Sequence, residues 1–145
     1  MVEPRVMVEG FSVAPQLTEA DFPELAAAGY KTIINNRPDG EEPGQLTTEV
    51  AKALAAANGL NYVYIPIVFS ELNSAIVDQF AEALKTNSGP ILAHCKTGTR
   101  SCIVWSMATA KDNTMTVDEL LMCAAKGGYD LSRMRPLIEQ YMGTG

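Results

Sequence analysis

The sequence predicts a single α/β domain with three layers, in which helices cover both faces of a mainly parallel, four-stranded sheet. Short β-branched runs alternate with longer alanine-rich segments of helical periodicity, which is typical of parallel strands joined by crossover helices. The 145 residues match the size of one domain, and no Pro/Gly/Ser-rich linker is long enough to divide them. Apolar residues make up 47% of the chain and charged residues 19%, values that suit a folded core.

Four segments are predicted to be strands, because each is short, apolar or β-branched and bounded by turn residues. They are residues 11–14, 31–35, 61–67 and 91–94. The last of these is wholly apolar up to its final histidine, as expected for a strand buried on both faces. The turn-rich stretch at 36–44 is predicted to be a loop after the second strand.

Six segments of helical periodicity separate or follow these strands, at residues 19–28, 49–58, 73–84, 100–110, 116–125 and 131–142. Several ends carry capping signals. Thr18 is expected to cap the first helix, Thr47 or Thr48 the second, and Thr116 with Glu119 forms a capping box for the fifth. The segment at 100–110 is apolar on nearly every side, which predicts a central buried helix.

Charge and composition exclude several classes of function. With 11 Lys and Arg against 17 Asp and Glu, the net charge is −6, so no basic surface for nucleic acid or an anionic membrane is expected. No apolar run approaches the roughly 20 residues of a membrane helix, and the N-terminus lacks the apolar region of a signal peptide. Three cysteines and one histidine favour a reducing cytoplasm and predict neither a metal site nor another cofactor.

One motif carries chemistry, the sequence HCKTGTRS at residues 94–101. It places Cys95 after a strand and Arg100 in the first turn of a helix, with four residues between them. Backbone N–H groups at such a junction converge into an anion-binding nest supported by the helix dipole, and Arg100 adds a forked guanidinium. We therefore predict Cys95 and Arg100 to be catalytic. The residues predicted to complete the anion-binding loop are Lys96, Thr97, Gly98, Thr99 and Ser101.

Cys95 has a less specific interpretation, because free cysteines are often small buried hydrophobes. That interpretation suits Cys102 and Cys123, which lie in apolar helical patterns. At the start of an anion-binding loop, however, a cysteine is expected to be a reactive thiolate at neutral pH. His94 should point away from Cys95, since side chains alternate along a strand, and is expected to make a supporting hydrogen bond.

Three stretches together resemble a known bacterial family, beta-lactamase hydrolase-like protein, phosphatase-like domain. They are INNRPDGEEPGQ at 34–45, YVYIPI at 62–67 and HCKTGTRS. The resemblance covers nearly the whole chain and implies one phosphatase-like domain over residues 1–145 with a dual-specificity-phosphatase-like fold. It also implies either phosphatase or sulfurtransferase chemistry. The cysteine motif resembles that of tyrosine phosphatases, whose loop has one residue more, and the shorter loop of rhodanese-like sulfurtransferases.

Two features favour sulfur transfer. The four-residue spacer tightens the loop around a single sulfur, and Val68 stands where phosphatases of this fold place an acidic residue that protonates the leaving group. The nearest acid there is Glu71, which is predicted to be an auxiliary site residue. We therefore predict a sulfurtransferase in which Cys95 takes sulfur from a small donor as a persulfide. The alternatives are a phosphatase acting on a phosphorylated substrate through phosphocysteine, and a non-catalytic module that binds an anion or phosphoprotein.

A polar cluster at 37–42 is a further candidate part of the site. Because its loop follows a parallel strand, Arg37, Asp39 and Glu41 can face the same edge as Cys95. Asp39 or Glu41 would then orient Arg100 or serve as a substitute acid. The alternative is a plain Pro-Asp-Gly turn with solvated glutamates.

Overall fold

The computed structural model describes residues 2–144 and contains a five-stranded sheet between two layers of helices. The strands are β1 (Arg5–Val8), β2 (Phe11–Ala14), β3 (Thr32–Asn35), β4 (Asn61–Tyr64) and β5 (Ile91–His94). The helices are α1 (Asp21–Ala27), α2 (Thr48–Ala57), α3 (Ser74–Thr86), α4 (Thr99–Lys111), α5 (Val117–Lys126) and α6 (Arg135–Glu139). Short 3₁₀ turns occupy Phe69–Glu71 and Ser132–Met134. None of the helices within 2–144 is long and apolar enough to cross a membrane.

The sheet has the strand order β1-β2-β5-β3-β4. Its four predicted strands are parallel to one another, which confirms the three-layer α/β fold. The predicted number of strands was wrong, because β1 adds a fifth, antiparallel strand beside β2. Alternating valines before the Glu9–Gly10 turn were the missed hairpin signal, and Gly10 adopts the positive φ of 88° that such a turn requires.

Side-chain alternation divides the core between the two faces of the sheet. Ile33 and Leu92 pack with Phe22 of α1 and with the alanines of α2. Their neighbours Ile34 and Ala93 pack on the opposite face, in the larger cluster formed with α3, α4, α5 and α6. Helix α4 is buried along most of its length, as its apolar pattern predicts.

The helix ends differ from prediction at two places. Thr47 caps α2 and the capping box of Thr116 and Glu119 is present, as predicted. Thr18 does not cap α1; its N–H and hydroxyl instead donate to the buried Asp21 carboxylate, at 2.7 and 3.0 Å. The predicted helix at 131–142 is a 3₁₀ turn followed by the short α6, because Pro136 has no N–H and is tolerated only in a first helical turn.

The strand register positions the site. Ala14 and Asn35 are both paired with His94, and Asn35 is also paired with Tyr64. The four parallel strands therefore end side by side, so the loops that follow them all leave from one edge of the sheet.

Candidate active site

The cysteine loop, residues 95–100, connects β5 to α4 at this edge. Cys95 is 1% exposed and its Sγ accepts a hydrogen bond from the Gly98 N–H at 3.1 Å. Gly98 is the N-cap of α4 with a φ of 99°, a left-handed conformation that favours glycine. The Arg100 side chain is partly buried and lies close enough to this thiol to interact with it electrostatically. The sequence motif therefore folds into a cup whose backbone points an N–H group at the sulfur.

Tyr129 holds the rim of the cysteine loop, a role that no sequence signal indicated. Its hydroxyl donates to the Thr97 carbonyl at 2.9 Å. A Cβ atom added at Gly98 would overlap that hydroxyl, so the close approach requires glycine. The exposed Thr97 and Thr99 hydroxyls are hydrogen-bonded to each other at 3.0 Å. Since Tyr129 lies 32 residues from Thr97, only the packing of the loop after α5 brings them together.

Glu41 holds the Arg100 guanidinium with two hydrogen bonds. Arg100 Nη1 donates to Glu41 Oε2 at 2.7 Å and Nη2 to Oε1 at 2.9 Å. Arg100 Nη1 also donates to the Ile67 carbonyl at 2.9 Å. Hydrogen bonding by Arg100, with a smaller effect of Arg37, lowers the pKa of Glu41 to about 2. The Glu41 carboxylate raises the pKa of Arg100 in return, and the charge of Cys95 adds to this. Glu41 is thus placed to orient Arg100 and is ionised near neutral pH.

The acidic loop, residues 36–44, folds against the cysteine loop through charged side chains. Arg37 is buried, and its Nε donates to Glu41 Oε1 at 2.9 Å. Arg37 Nη1 donates to Gln16 Oε1 at 3.2 Å, which adds the segment after β2 to the cluster. Lys96 of the cysteine loop forms an ion pair with Glu42. All four loops at this edge therefore meet in one polar cluster, since Gln16 follows β2 and the Ile67 carbonyl, which accepts from Arg100, follows β4. The Gln16 amide gave no sequence signal.

Two predicted auxiliary residues lie outside this cluster. Asp39 Oδ1 accepts from the Thr48 N–H at 2.9 Å, and the Asp39 N–H donates to the Tyr64 hydroxyl. These contacts fasten the acidic loop to α2 and β4. Glu71 is exposed in a 3₁₀ turn, and within residues 2–144 its carboxylate has neither a hydrogen bond nor an ion pair. Val68 is 44% exposed in the same segment.

His94 and Ser101, the buried residues on either side of the cysteine loop, stabilise it. The buried Ser101 hydroxyl donates to Asn36 Oδ1 at 2.8 Å, and Asn36 Nδ2 donates to the Ile65 carbonyl. The hydroxyl proton therefore goes to a neighbouring loop and not to the sulfur. Burial lowers the pKa of His94 to about 4, so this histidine is neutral at physiological pH, with Nδ1 3.4 Å from the Cys95 carbonyl oxygen. Within residues 2–144, no group of three or more His, Cys, Asp or Glu side chains is arranged to hold a metal ion.

Comparison with known proteins identifies the relatives of this chain. The sequence profile of the family "Beta-lactamase hydrolase-like protein, phosphatase-like domain" matches residues 3–112. The chain belongs to this family. It is 33% identical over 132 residues to the beta-lactamase hydrolase-like protein of Xylella fastidiosa strain 9a5c, a match that covers 91% of this chain and 31% of that protein. The chain thus spans less than a third of the length of the curated relatives it matches.

Solved structures show the same fold. A Neisseria meningitidis Z2491 protein named "putative phosphatase" superposes with a TM-score of 0.84 at 31% identity, covering 94% of this chain and 96% of that one. Tk-PTP in its active form has a TM-score of 0.70 at 16% identity, over 97% of this chain and 95% of its own. This phosphatase-like domain therefore has the dual-specificity or tyrosine phosphatase fold that the resemblance implied.

Proposed function

We propose that this phosphatase-like domain is a cysteine-dependent enzyme in which Cys95 attacks a small oxyanion bound in the cysteine loop. The observation that carries the proposal is the cup around Cys95: a buried sulfur 3.1 Å from the Gly98 N–H, with the Arg100 side chain beside it. Preorganised N–H groups and a guanidinium stabilise negative charge on a substrate as it reacts. The thiolate supplies the nucleophile. Such a thiol must stay reduced, which agrees with the three free cysteines and with a reducing compartment such as the cytoplasm.

The first candidate reaction is hydrolysis of a phosphate monoester. Cys95 Sγ forms a bond to phosphorus, and the bond between phosphorus and the ester oxygen breaks as that oxygen takes a proton from solvent water. Water then cleaves the phosphocysteine, which releases inorganic phosphate and restores the thiol. Support comes from the phosphatase-like family to which the chain belongs and from the Neisseria relative named "putative phosphatase".

The second candidate is sulfur transfer, and two of the residues described beside Arg100 favour it. The residues around Arg100 include Glu41, whose pKa of about 2 leaves it ionised, and the apolar Val68. Sulfur transfer needs no acid for its leaving group: the Cys95 thiolate attacks the outer sulfur of thiosulfate, sulfite leaves, and an acceptor thiol removes the sulfur from the persulfide. The four-residue spacer between Cys95 and Arg100 also favours this smaller group.

Parallel assays on an aryl phosphate and on thiosulfate test the proposal. Each assay uses the unaltered chain, Cys95→Ser, and Cys123→Ser as a matched control outside the cysteine loop. Turnover of either substrate that needs Cys95 and not Cys123 supports the enzyme, and the substrate turned over selects the reaction. Binding of both anions without turnover would contradict the enzyme and favour a binding module.

Two further variants separate the candidate reactions. Val68→Asp adds a carboxyl group one residue beyond the Ile67 carbonyl that Arg100 contacts. It is expected to accelerate only the phosphate reaction, by supplying a proton to the leaving oxygen. A glycine inserted between Thr97 and Thr99 widens the cup and is expected to favour phosphate over thiosulfate. If both variants change the two reactions in parallel, the acid and the loop width do not determine the chemistry.

A further inference from the structure

A groove of about 510 Å³ lies beside the cysteine loop, between the acidic loop and the segment that follows β2. We call it the side groove. Its lining includes Gln16, Arg37, Glu42, Gln45 and Lys96. Lys96 also belongs to the cysteine loop, so the side groove borders that loop.

Two buried polar atoms of the side-groove residues have no hydrogen-bond partner within residues 2–144: Arg37 Nη2 and Gln45 Oε1. The Arg37 side chain is only 4% exposed. Buried donors and acceptors in native proteins are almost always satisfied, by protein, water or ligand. The residues that line the side groove therefore contain one unused buried donor, Arg37 Nη2, and one unused buried acceptor, Gln45 Oε1.

The carboxylate of Glu42 marks where an anion fits in the side groove. One of its oxygens pairs with Lys96 Nζ, and the other lies 3.7 Å from Arg37 Nη2, beyond hydrogen-bond distance. The Glu42 side chain is 50% exposed, so it can rotate into solvent without disturbing the core. Its departure would leave the guanidinium of Arg37 and the ammonium of Lys96 facing an open anion position.

This anion position lies close to Arg100 of the cysteine loop. Arg37 Nε and Arg100 Nη2 each donate to Glu41 Oε1 at 2.9 Å, so these two nitrogen atoms are at most about 6 Å apart. Two anionic groups separated by a few bonds can span that distance.

We propose that the side groove binds a second anionic group of the substrate, a carboxylate or phosphate, between Lys96 and Arg37, where it replaces the carboxylate of Glu42. The inference rests on the proposed function, since it takes the first anionic group to lie in the cysteine loop. Gln45 Oε1 then accepts a hydrogen bond from an N–H or O–H next to the second group. The substrate class is a small molecule with two anionic groups.

Calorimetric titration of three non-hydrolysable probes tests this proposal. Methylphosphonate carries one anionic group, methylenediphosphonate two phosphonates, and phosphonoacetate one phosphonate and one carboxylate. In Glu42→Gln the competing carboxylate is gone, so methylenediphosphonate should bind about two- to fivefold more tightly, the range expected for an exposed ion pair. Methylphosphonate affinity should not change. Phosphonoacetate will follow methylenediphosphonate if the second position accepts a carboxylate, and methylphosphonate if it accepts only phosphate.

Two further variants complete the experiment. Glu82→Gln removes the same charge from an exposed position on α3 and should alter neither affinity. Arg37→Lys keeps the positive charge but lacks Nη2, and should abolish the advantage of methylenediphosphonate over methylphosphonate. If Arg37→Lys does not fold, the comparison of the unaltered chain with Glu42→Gln still tests the second anion position.

If Glu42→Gln binds methylphosphonate and methylenediphosphonate with the affinities of the unaltered chain, or binds both more tightly by the same factor, the second anion position is overturned. The anion site in the cysteine loop is not affected by that result. Failure of every probe to bind the unaltered chain overturns this inference, whereas the proposed function is overturned only if neither aryl phosphate nor thiosulfate is turned over.

Discussion

The cysteine loop and the acidic loop face each other at one edge of the sheet, but they are built by different means. The cysteine loop is built mainly by backbone: a left-handed Gly98, a helix N-terminus and the Gly98 N–H aimed at Cys95. The acidic loop contributes side chains, chiefly Glu41, which binds Arg37 and Arg100 together. The backbone geometry of a short loop is set by residues that are neighbours in the sequence. An ion pair between two loops forms only when the fold brings those loops side by side. The predictions below test whether these two loops divide the work as their construction suggests, with chemistry in one and orientation in the other.

Replacing Cys95 by serine should have the largest effect. Serine is nearly isosteric and preserves the fold, but its hydroxyl is a far weaker nucleophile at neutral pH. We expect turnover to fall by at least about 10³-fold, a loss typical of a removed nucleophile. Initial rates against whichever substrate is active will measure it. Residual activity close to that of the unaltered chain would remove the chemistry from the cysteine loop.

Gly98→Ala should damage the cysteine loop through its backbone. Alanine at a φ of 99° costs about 1–3 kcal/mol, and its Cβ would also overlap the Tyr129 hydroxyl. We expect a lower free energy of unfolding in urea and a strong loss of turnover. The double variant Gly98→Ala/Tyr129→Ala removes the overlap but not the φ penalty, and should recover only part of the stability. Full recovery would mean that the left-handed conformation is unimportant.

Glu41→Gln tests the acidic loop. Glutamine cannot bind Arg100 as an ionised carboxylate does, and a guanidinium that is misplaced by about 1 Å can cost on the order of 10²-fold in rate. We expect a loss of about 10- to 100-fold in kcat/KM with little change in Cys95 alkylation by iodoacetamide. Equal losses in both measurements would show that Glu41 supports the whole cysteine loop and not Arg100 alone.

The ionisation of Glu41 predicts how the free energy of unfolding depends on pH. The pKa of Glu41 is lowered from 4.5 to about 2, so its stabilising effect is complete above pH 4.5 and is lost as pH falls towards 2. The free energy of unfolding of the unaltered chain should therefore fall more steeply over this window than that of Glu41→Gln. Parallel curves for the two proteins would contradict the ion pair.

His94 predicts a second pH effect, at the base of the cysteine loop and over a higher pH range. Its pKa is lowered from 6.5 to about 4 by burial, so between these values the unfolded chain binds a proton that the native chain does not. Stability should decline as pH falls from 6.5 to 4, and His94→Asn should flatten that decline. Urea unfolding at intervals across this range measures it, and identical slopes would rule out a buried neutral histidine.

Asp39→Ala should have the smallest effect, although Asp39 lies two residues from Glu41. Its carboxylate accepts one hydrogen bond from the Thr48 N–H, at the start of α2. Loss of that bond is expected to lower the free energy of unfolding by about 0.5–1.5 kcal/mol and to leave turnover near that of the unaltered chain. A turnover loss as large as that of Glu41→Gln would extend the orienting role to the whole acidic loop.

The amino-acid sequence by itself determined the parts of this protein that depend on neighbouring residues. Strand and helix periodicity predicted the four parallel strands and the buried α4, and eight consecutive residues predicted a cysteine before a helix N-terminus. These features could be inferred because strand alternation, helix capping and the backbone of a short loop are local properties. The hairpin of β1 was also local, but its Glu9–Gly10 turn was overlooked.

Only the tertiary structure decided which distant side chains meet at the site. Glu41 is 59 residues from Arg100, and Tyr129 is 32 residues from Thr97. The sequence left Asp39 and Glu41 equal as partners of Arg100, since both belong to one polar loop. The strand order places β3 next to β5, and the path of the acidic loop then turns Glu41 towards Arg100 and Asp39 towards α2. Hydrogen bonds and ion pairs form only over a few ångströms, so their partners depend on strand order and loop path, which periodicity does not encode.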